Sequence, residues 1–150
     1  MSINNLPEPF VYQNFIHDQT VTLKRTLVFG VPGCGKTRPI IDALVTLGVL
    51  DPHCLSDDPS DIFPKGPVWV LCSGNAIATW KRQLPEWTAD PTLKDSIHVV
   101  TGHKDVRMKM WRRAHTQEGL GIYICNFSVF FRDHMAIRRV KWAAYVCDEY

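Results

Sequence analysis

Gly30-Val31-Pro32-Gly33-Cys34-Gly35-Lys36-Thr37 sets three glycines, a lysine and a threonine at the spacing GxxxxGK[ST]. Residues of these types at this spacing suit one task, gripping a polyphosphate. Glycines let successive backbone N–H groups turn inward as a concave nest for phosphate oxygens. A helix opening directly after the loop points its positive dipole end at the same anion. The lysine then reaches the β- and γ-phosphates, and the threonine hydroxyl takes a position on magnesium. Gly30–Thr37 is therefore read as a nucleotide phosphate loop, with Lys36 on phosphate, Thr37 on the metal, and ATP and Mg2+ as the expected ligands. At average residue usage the pattern arises by chance in on the order of one in a few hundred chains this size.

An enzyme built on such a loop needs an acidic residue for magnesium at the tip of a neighbouring strand. Val146-Cys147-Asp148-Glu149 has that form, an apolar strand running into two carboxylates. Open α/β sheets bind ligands at the carboxyl ends of their strands. Asp148 is thus expected to order magnesium, and Glu149 to orient and deprotonate an attacking water.

The elements that must position these residues follow from periodicity. Arg25–Gly30 is a short apolar run ending at glycine, a buried strand feeding the loop. From Lys36 to Gly48, Ile40, Ile41, Leu44 and Leu47 recur at helical spacing, with Pro39 tolerated in the first turn and Gly48 as a stop. Residues 51–66, rich in Asp, Pro and Ser, read as a loop. Further strands are expected at Pro67–Cys72, Ile97–Thr101, Gly121–Cys125 and Trp142–Cys147. Helices are expected at Asn75–Trp87, with Pro85 bending or ending it, at Lys104–Glu118 and at Phe127–Arg138. Alternation of near-continuous apolar strands with helices predicts an α/β fold, a parallel sheet of about five or more strands covered on both faces.

The 150 residues are 45% hydrophobic and 21% charged, with 19 Gly plus Pro, within the globular range. That length fits one domain. No apolar run approaches the ~20 residues of a membrane span, and the first residues lack the basic and apolar regions of a secretory signal. An intracellular setting (cytoplasm, nucleus or virus) is expected. The five cysteines never form a CxxC pair; Cys72, Cys125 and Cys147 lie in apolar runs and read as buried structural thiols. Residues 1–75 carry five Lys/Arg against seven Asp/Glu, and residues 76–150 carry twelve against eight. A basic second half suits an anionic polymer.

Three segments beyond the loop carry a family resemblance. Pro67–Trp87 (PVWVLCSGNAIATWKRQLPEW), Gly121–Asp133 (GIYICNFSVFFRD) and Lys141–Tyr150 (KWAAYVCDEY) resemble superfamily-two helicases and translocases, closest to the Swi/Snf-type remodelling ATPases. The first looks like that family's motif Ia, the second like its strand before Thr-Thr-Tyr, the third like its strand into Asp-Glu-Ala-His. The resemblance implies that residues 1–150 are an N-terminal RecA-like ATP-binding lobe, truncated after Tyr150. The second lobe with its arginine finger would lie outside them. It implies nucleic acid as partner, DNA ahead of RNA. Gln13 would correspond to the glutamine that reads adenine, since its amide both donates and accepts. Ser73, Asn75 and Asn126, just beyond strand ends, would lie where the family touches nucleic-acid backbone. Capping of the following helix is the competing role for Ser73 and Asn75. Tyr150 replaces the family's alanine, Cys72-Ser73-Gly74 lacks its Cys-Pro, and Asn126 stands where threonine is usual. Two other readings stay open: a P-loop ATPase or kinase of another class, although no arginine-rich lid is evident, and a nucleotide-binding module without turnover.

Overall fold

The computed structural model describes residues 6–26, 28, 33–52, 58–116 and 118–148. Its order is α1 (Val11–Leu23), α2 (Thr37–Thr46), the single turn α3 (Pro59–Ile62), β1 (Val68–Cys72), α4 (Ala76–Trp87), a 3-10 turn (Pro91–Ser96), β2 (Ile97–Val99), α5 (Lys104–Thr116), β3 (Ile122–Asn126), α6 (Phe127–Ile137) and β4 (Ala144–Cys147). The four strands form one parallel sheet in the order β2-β3-β1-β4. This is the expected α/β architecture. Half of the strand expected at 25–30 (residues 27, 29 and 30) lies outside the described residues.

Period-two alternation along β1 explains the two-sided core. Val68, Val70 and Cys72 face one side, where Ile41 and Leu44 of α2, Trp80 and Leu84 of α4, and Leu93 pack against them. Leu71 faces the other side with Tyr123 and Cys125 of β3, beneath Trp111 and Ala114 of α5 and Val129 and Ile137 of α6.

Element ends follow local chemistry. Gly48, at φ +61°, ends α2 as expected: its N–H bonds Val45 O, and Val49 N–H bonds Leu44 O. Only glycine takes that backbone region without a steric cost. Helix α4 runs through Pro85 to Trp87. Three features depart from the expectations. Helix α1 escaped the sequence reading because its apolar residues form no inward stripe: Phe10, Val11 and Phe15 are exposed, and Gln13 alone in the helix is buried. Helix α3 interrupts the loop expected at 51–66. Cys147, expected to be buried, is exposed, while Cys72 and Cys125 are buried. The cause is the strand it occupies. β4 pairs with β1 on one side among the described residues, and its side chains alternate between half-buried and exposed.

Candidate nucleotide site

Five of the eight loop residues are described, Gly33, Cys34, Gly35, Lys36 and Thr37, the last being the first residue of α2; Gly30, Val31 and Pro32 lie outside the described residues. Gly33 and Gly35 both stand at φ +77°, where an L side chain would be strained. A Cβ on Gly35 would also lie 2.8 Å from Gln13 Nε2, so the loop is built around the missing side chain. The bare backbone fits the expected phosphate ligand. Lys36 Nζ lies 3.7 Å from Cys34 Sγ, folded back along the loop.

Helix α1 is what holds this loop from outside. Gln13 sits at the third position of α1, where its Oε1 accepts from the Phe10 N–H at 2.9 Å, as a glutamine in a capping box does. Its Nε2 donates to Gly35 O at 2.9 Å. The Tyr12 hydroxyl donates to Cys34 O. Farther along, a ring nitrogen of His17 bonds the Thr46 hydroxyl at 2.8 Å, tying α1 to the end of α2. Sequence reasoning found Gln13 and missed Tyr12, which no spacing rule marks. Gln13 tethers the loop, and its second N–H and second carbonyl lone pair remain as donor and acceptor.

The strand-end residues share one edge of the sheet. Cys72 pairs with Asn126, and the Asp148 N–H donates to Leu71 O at 2.8 Å. Ser73, Asn126 and Asp148 therefore line the carboxyl ends of three adjacent parallel strands. Asp148 Oδ2 accepts from Trp80 Nε1 at 2.8 Å, so α4 fixes the carboxylate. Its charge and, before it, burial push the Cys72 thiol up to about 12. Ser73 Oγ accepts from Ala76 N–H at 3.3 Å, and Asn126 Oδ1 from Val129 N–H at 2.9 Å. Both cap the helices that follow. Asn75 precedes α4 without a side-chain cap bond. Glu149 lies outside the described residues.

One constellation escaped sequence reasoning entirely. Arg107 of α5 meets Asp133 of α6 in a buried two-point ion pair, Nε to Oδ2 at 2.7 Å and Nη2 to Oδ1 at 3.0 Å. Arg107 Nη1 adds a bond to Gly102 O at 2.6 Å, and Trp111 Nε1 one to Asp133 Oδ2 at 2.9 Å. Arginine and aspartate lie 26 residues apart, so no local pattern reveals them.

With this geometry in place, comparison supplies the family. The sequence description of the SNF2-related domain matches residues 14–150. The chain belongs to this family. The match begins one residue after Gln13, so the SNF2-related domain as matched takes in the loop and Asp148 but not the Tyr12–Gln13 tether. Over 85 residues the chain is 24% identical to the ISWI chromatin-remodeling complex ATPase ISW2 of Saccharomyces cerevisiae, covering 57% of this chain and 7% of that protein. The chain thus spans a small fraction of that relative's length. Among the described residues of the SNF2-related domain, no helix is long and apolar enough to cross a membrane.

Proposed function

We propose that the chain is the ATP-binding lobe of a nucleic-acid-dependent ATPase of helicase or translocase type, acting on DNA inside the cell. The observation that carries this reading is the glycine loop. It stands at left-handed φ with Gln13 and Tyr12 bonded to its carbonyls, in a chain of the SNF2-related family. Backbone N–H groups of the loop 30–35, Pro32 excepted, and Lys36 hold the triphosphate, and Gln13 faces adenine with its remaining donor and acceptor. Thr37 and Asp148 are the residues that would hold magnesium, which when bound neutralises charge on the phosphate oxygens. Glu149 orients the attacking water and takes its proton. Ser73, Asn75 and Asn126 lie along the edge that would meet the nucleic-acid backbone. A second RecA-like lobe in the parent protein supplies the arginine that stabilises the transferring phosphoryl group.

Isothermal titration with ATP and magnesium tests the site. Wild type binds in the micromolar-to-millimolar range. Lys36→Ala removes most of that affinity by deleting the charge at the phosphates. Gly35→Ala lowers it as well, because the new Cβ displaces Gln13. Equal binding by all three proteins would overturn the assignment.

A further inference from the structure

A cavity of about 250 Å³ lies between the far ends of α2 and α4. Asp42, Val45 and Thr46 wall it on α2, and Trp87, Thr88 and Ala89 wall it where α4 ends. Leu6 and Pro52 complete it with apolar surface. Thr46 stands at the opposite end of α2 from Thr37, about 13 Å away at ~1.5 Å per residue. The cavity is therefore separate from the site proposed for ATP.

The electrostatics of this cavity favour a cation. Both helices bring their last turns to it, where the dipole is negative, and neither has a basic residue in that turn. The Thr46 and Thr88 hydroxyls donate to Asp42 O and Leu84 O at 3.0 and 2.7 Å. The Thr88 and Ala89 N–H groups donate to Leu84 O and Glu86 O. These protons are spent within the helices, so what the hydroxyls have left to offer is oxygen lone pairs. Asp42 adds a full charge. Its ion-pair partner Arg38 stacks on the Trp87 ring, 4.6 Å from the centroid, and brings Nε to Asp42 Oδ2 at 3.6 Å, too long for a hydrogen bond. Burial raises the Asp42 carboxyl, and the opposing pull of Arg38 and His17 does not cancel it. Lys65 donates to Leu47 O just past α2. It does not line the cavity, and among the described residues no Lys, Arg or His does.

Size and wall chemistry narrow the cation. Pockets for drug-sized ligands run to about 300–1,000 Å³, so this cavity suits one extended group. Leu6, Val45 and Pro52 suit an aliphatic stem. A guanidinium is less strongly hydrated than an ammonium, and its fork matches both oxygens of a carboxylate. We propose that this cavity binds a guanidinium on an apolar stem, with Asp42 taking its charge.

Amide NMR titration of the 150-residue chain with n-butylguanidinium, at constant ionic strength and without nucleotide, tests this. The amides of Val45, Thr46, Thr88 and Ala89 should shift and saturate, while n-butanol at equal concentration leaves them in place. Asp42→Asn should weaken binding at least tenfold. Leu6 is 38% exposed at the rim, so Leu6→Arg tolerates folding and places a tethered guanidinium at the cavity. It should abolish the response, which keeps the test decisive if Asp42→Asn does not fold. A Gly/Ser peptide holding one arginine separates the two sources of such a group. Binding tighter than that of n-butylguanidinium assigns the cavity to an arginine side chain of a protein, and weaker binding assigns it to a small guanidinium compound. An equal response to n-butanol overturns the proposal, as does a titration unchanged in Asp42→Asn or Leu6→Arg.

Discussion

Trp80 Nε1 and Asp148 Oδ2 stand 2.8 Å apart, a helix indole donating to the carboxylate at the tip of β4. Trp80 is 1% exposed and forms part of the core between α4 and the sheet. One side chain therefore fills the interior and fixes an acid at the sheet's carboxyl edge. Trp80→Phe keeps most of the ring and removes the donor. Stability should fall by about 1–3 kcal/mol, from the lost bond and the smaller ring together, and the magnesium dependence of ATP binding should weaken. Urea denaturation with calorimetry at several magnesium concentrations reads both effects. An unchanged urea midpoint and magnesium response would sink the idea that the indole holds Asp148.

The Arg107–Asp133 pair predicts a larger effect. Removing one partner of a buried ion pair strands the other and costs about 3–5 kcal/mol. Arg107→Ala should therefore unfold at markedly lower urea than wild type. Burial alone would raise the Asp133 carboxyl, but hydrogen bonds from Arg107 and Trp111 outweigh it and hold the group below its usual 3.8. A depressed carboxylate contributes fully above its unfolded pKa and loses that contribution as pH falls through the folded one. Wild type should thus lose stability below about pH 4 more steeply than Asp133→Asn. Matching acid profiles for the two proteins would argue against this.

Thiol reactivity should separate the cysteines. Cys72 is pushed up to about 12 by burial and then by the Asp148 charge. Burial takes Cys125 to about 11, against the opposing 3.3 Å bond from Trp69 Nε1. Neither presents thiolate at neutral pH. Cys147 is exposed. Timed alkylation followed by peptide mass spectrometry should show Cys147 modified well before Cys72 and Cys125. Simultaneous modification would contradict the burial described above.

Turnover by the 150 residues alone should be very slow. Lys36, Thr37, Asp148 and Glu149 are the phosphate, metal and water groups of the proposal, but an arginine finger is worth on the order of 10³–10⁵ in rate. That corresponds to about 4–7 kcal/mol of barrier. Phosphate release, with and without duplex, should rise by orders of magnitude when the chain is extended downstream. Several turnovers per second from the short chain, abolished by Glu149→Gln, would point to a self-contained ATPase.

What the sequence revealed and concealed has a physical pattern. Strands at Val68, Ile122 and Ala144 were legible because buried parallel strands are apolar along their whole length. Helix α2 was legible from its single apolar stripe. Helix α1 was not, since it presents one polar residue, Gln13, to the loop and leaves its aromatic residues in solvent. Gln13 itself was found through family likeness, and its bond to Gly35 O gives it a tethering role that likeness did not suggest. Ser73 and Asn126 cap helices, as short polar side chains at strand-to-helix junctions commonly do. The Trp80–Asp148 and Arg107–Asp133 contacts join residues distant in the chain and exist only once the sheet has formed.

The placement of β1 also bears on how the chain is made. It lies between β3 and β4, pairing Val68 with Ile122 on one side and Ala144 on the other. Both partners are translated more than fifty residues after it. A ribosome adding on the order of 5–20 residues per second leaves Val68-Trp69-Val70-Leu71-Cys72 without sheet neighbours for several seconds. Such an apolar, β-branched, uncharged stretch is a ready template for pairing with another chain. The interval before β3 and β4 emerge is therefore when a nascent chain most needs a chaperone, and a ribosome stalled before residue 122 would release its most aggregation-prone form.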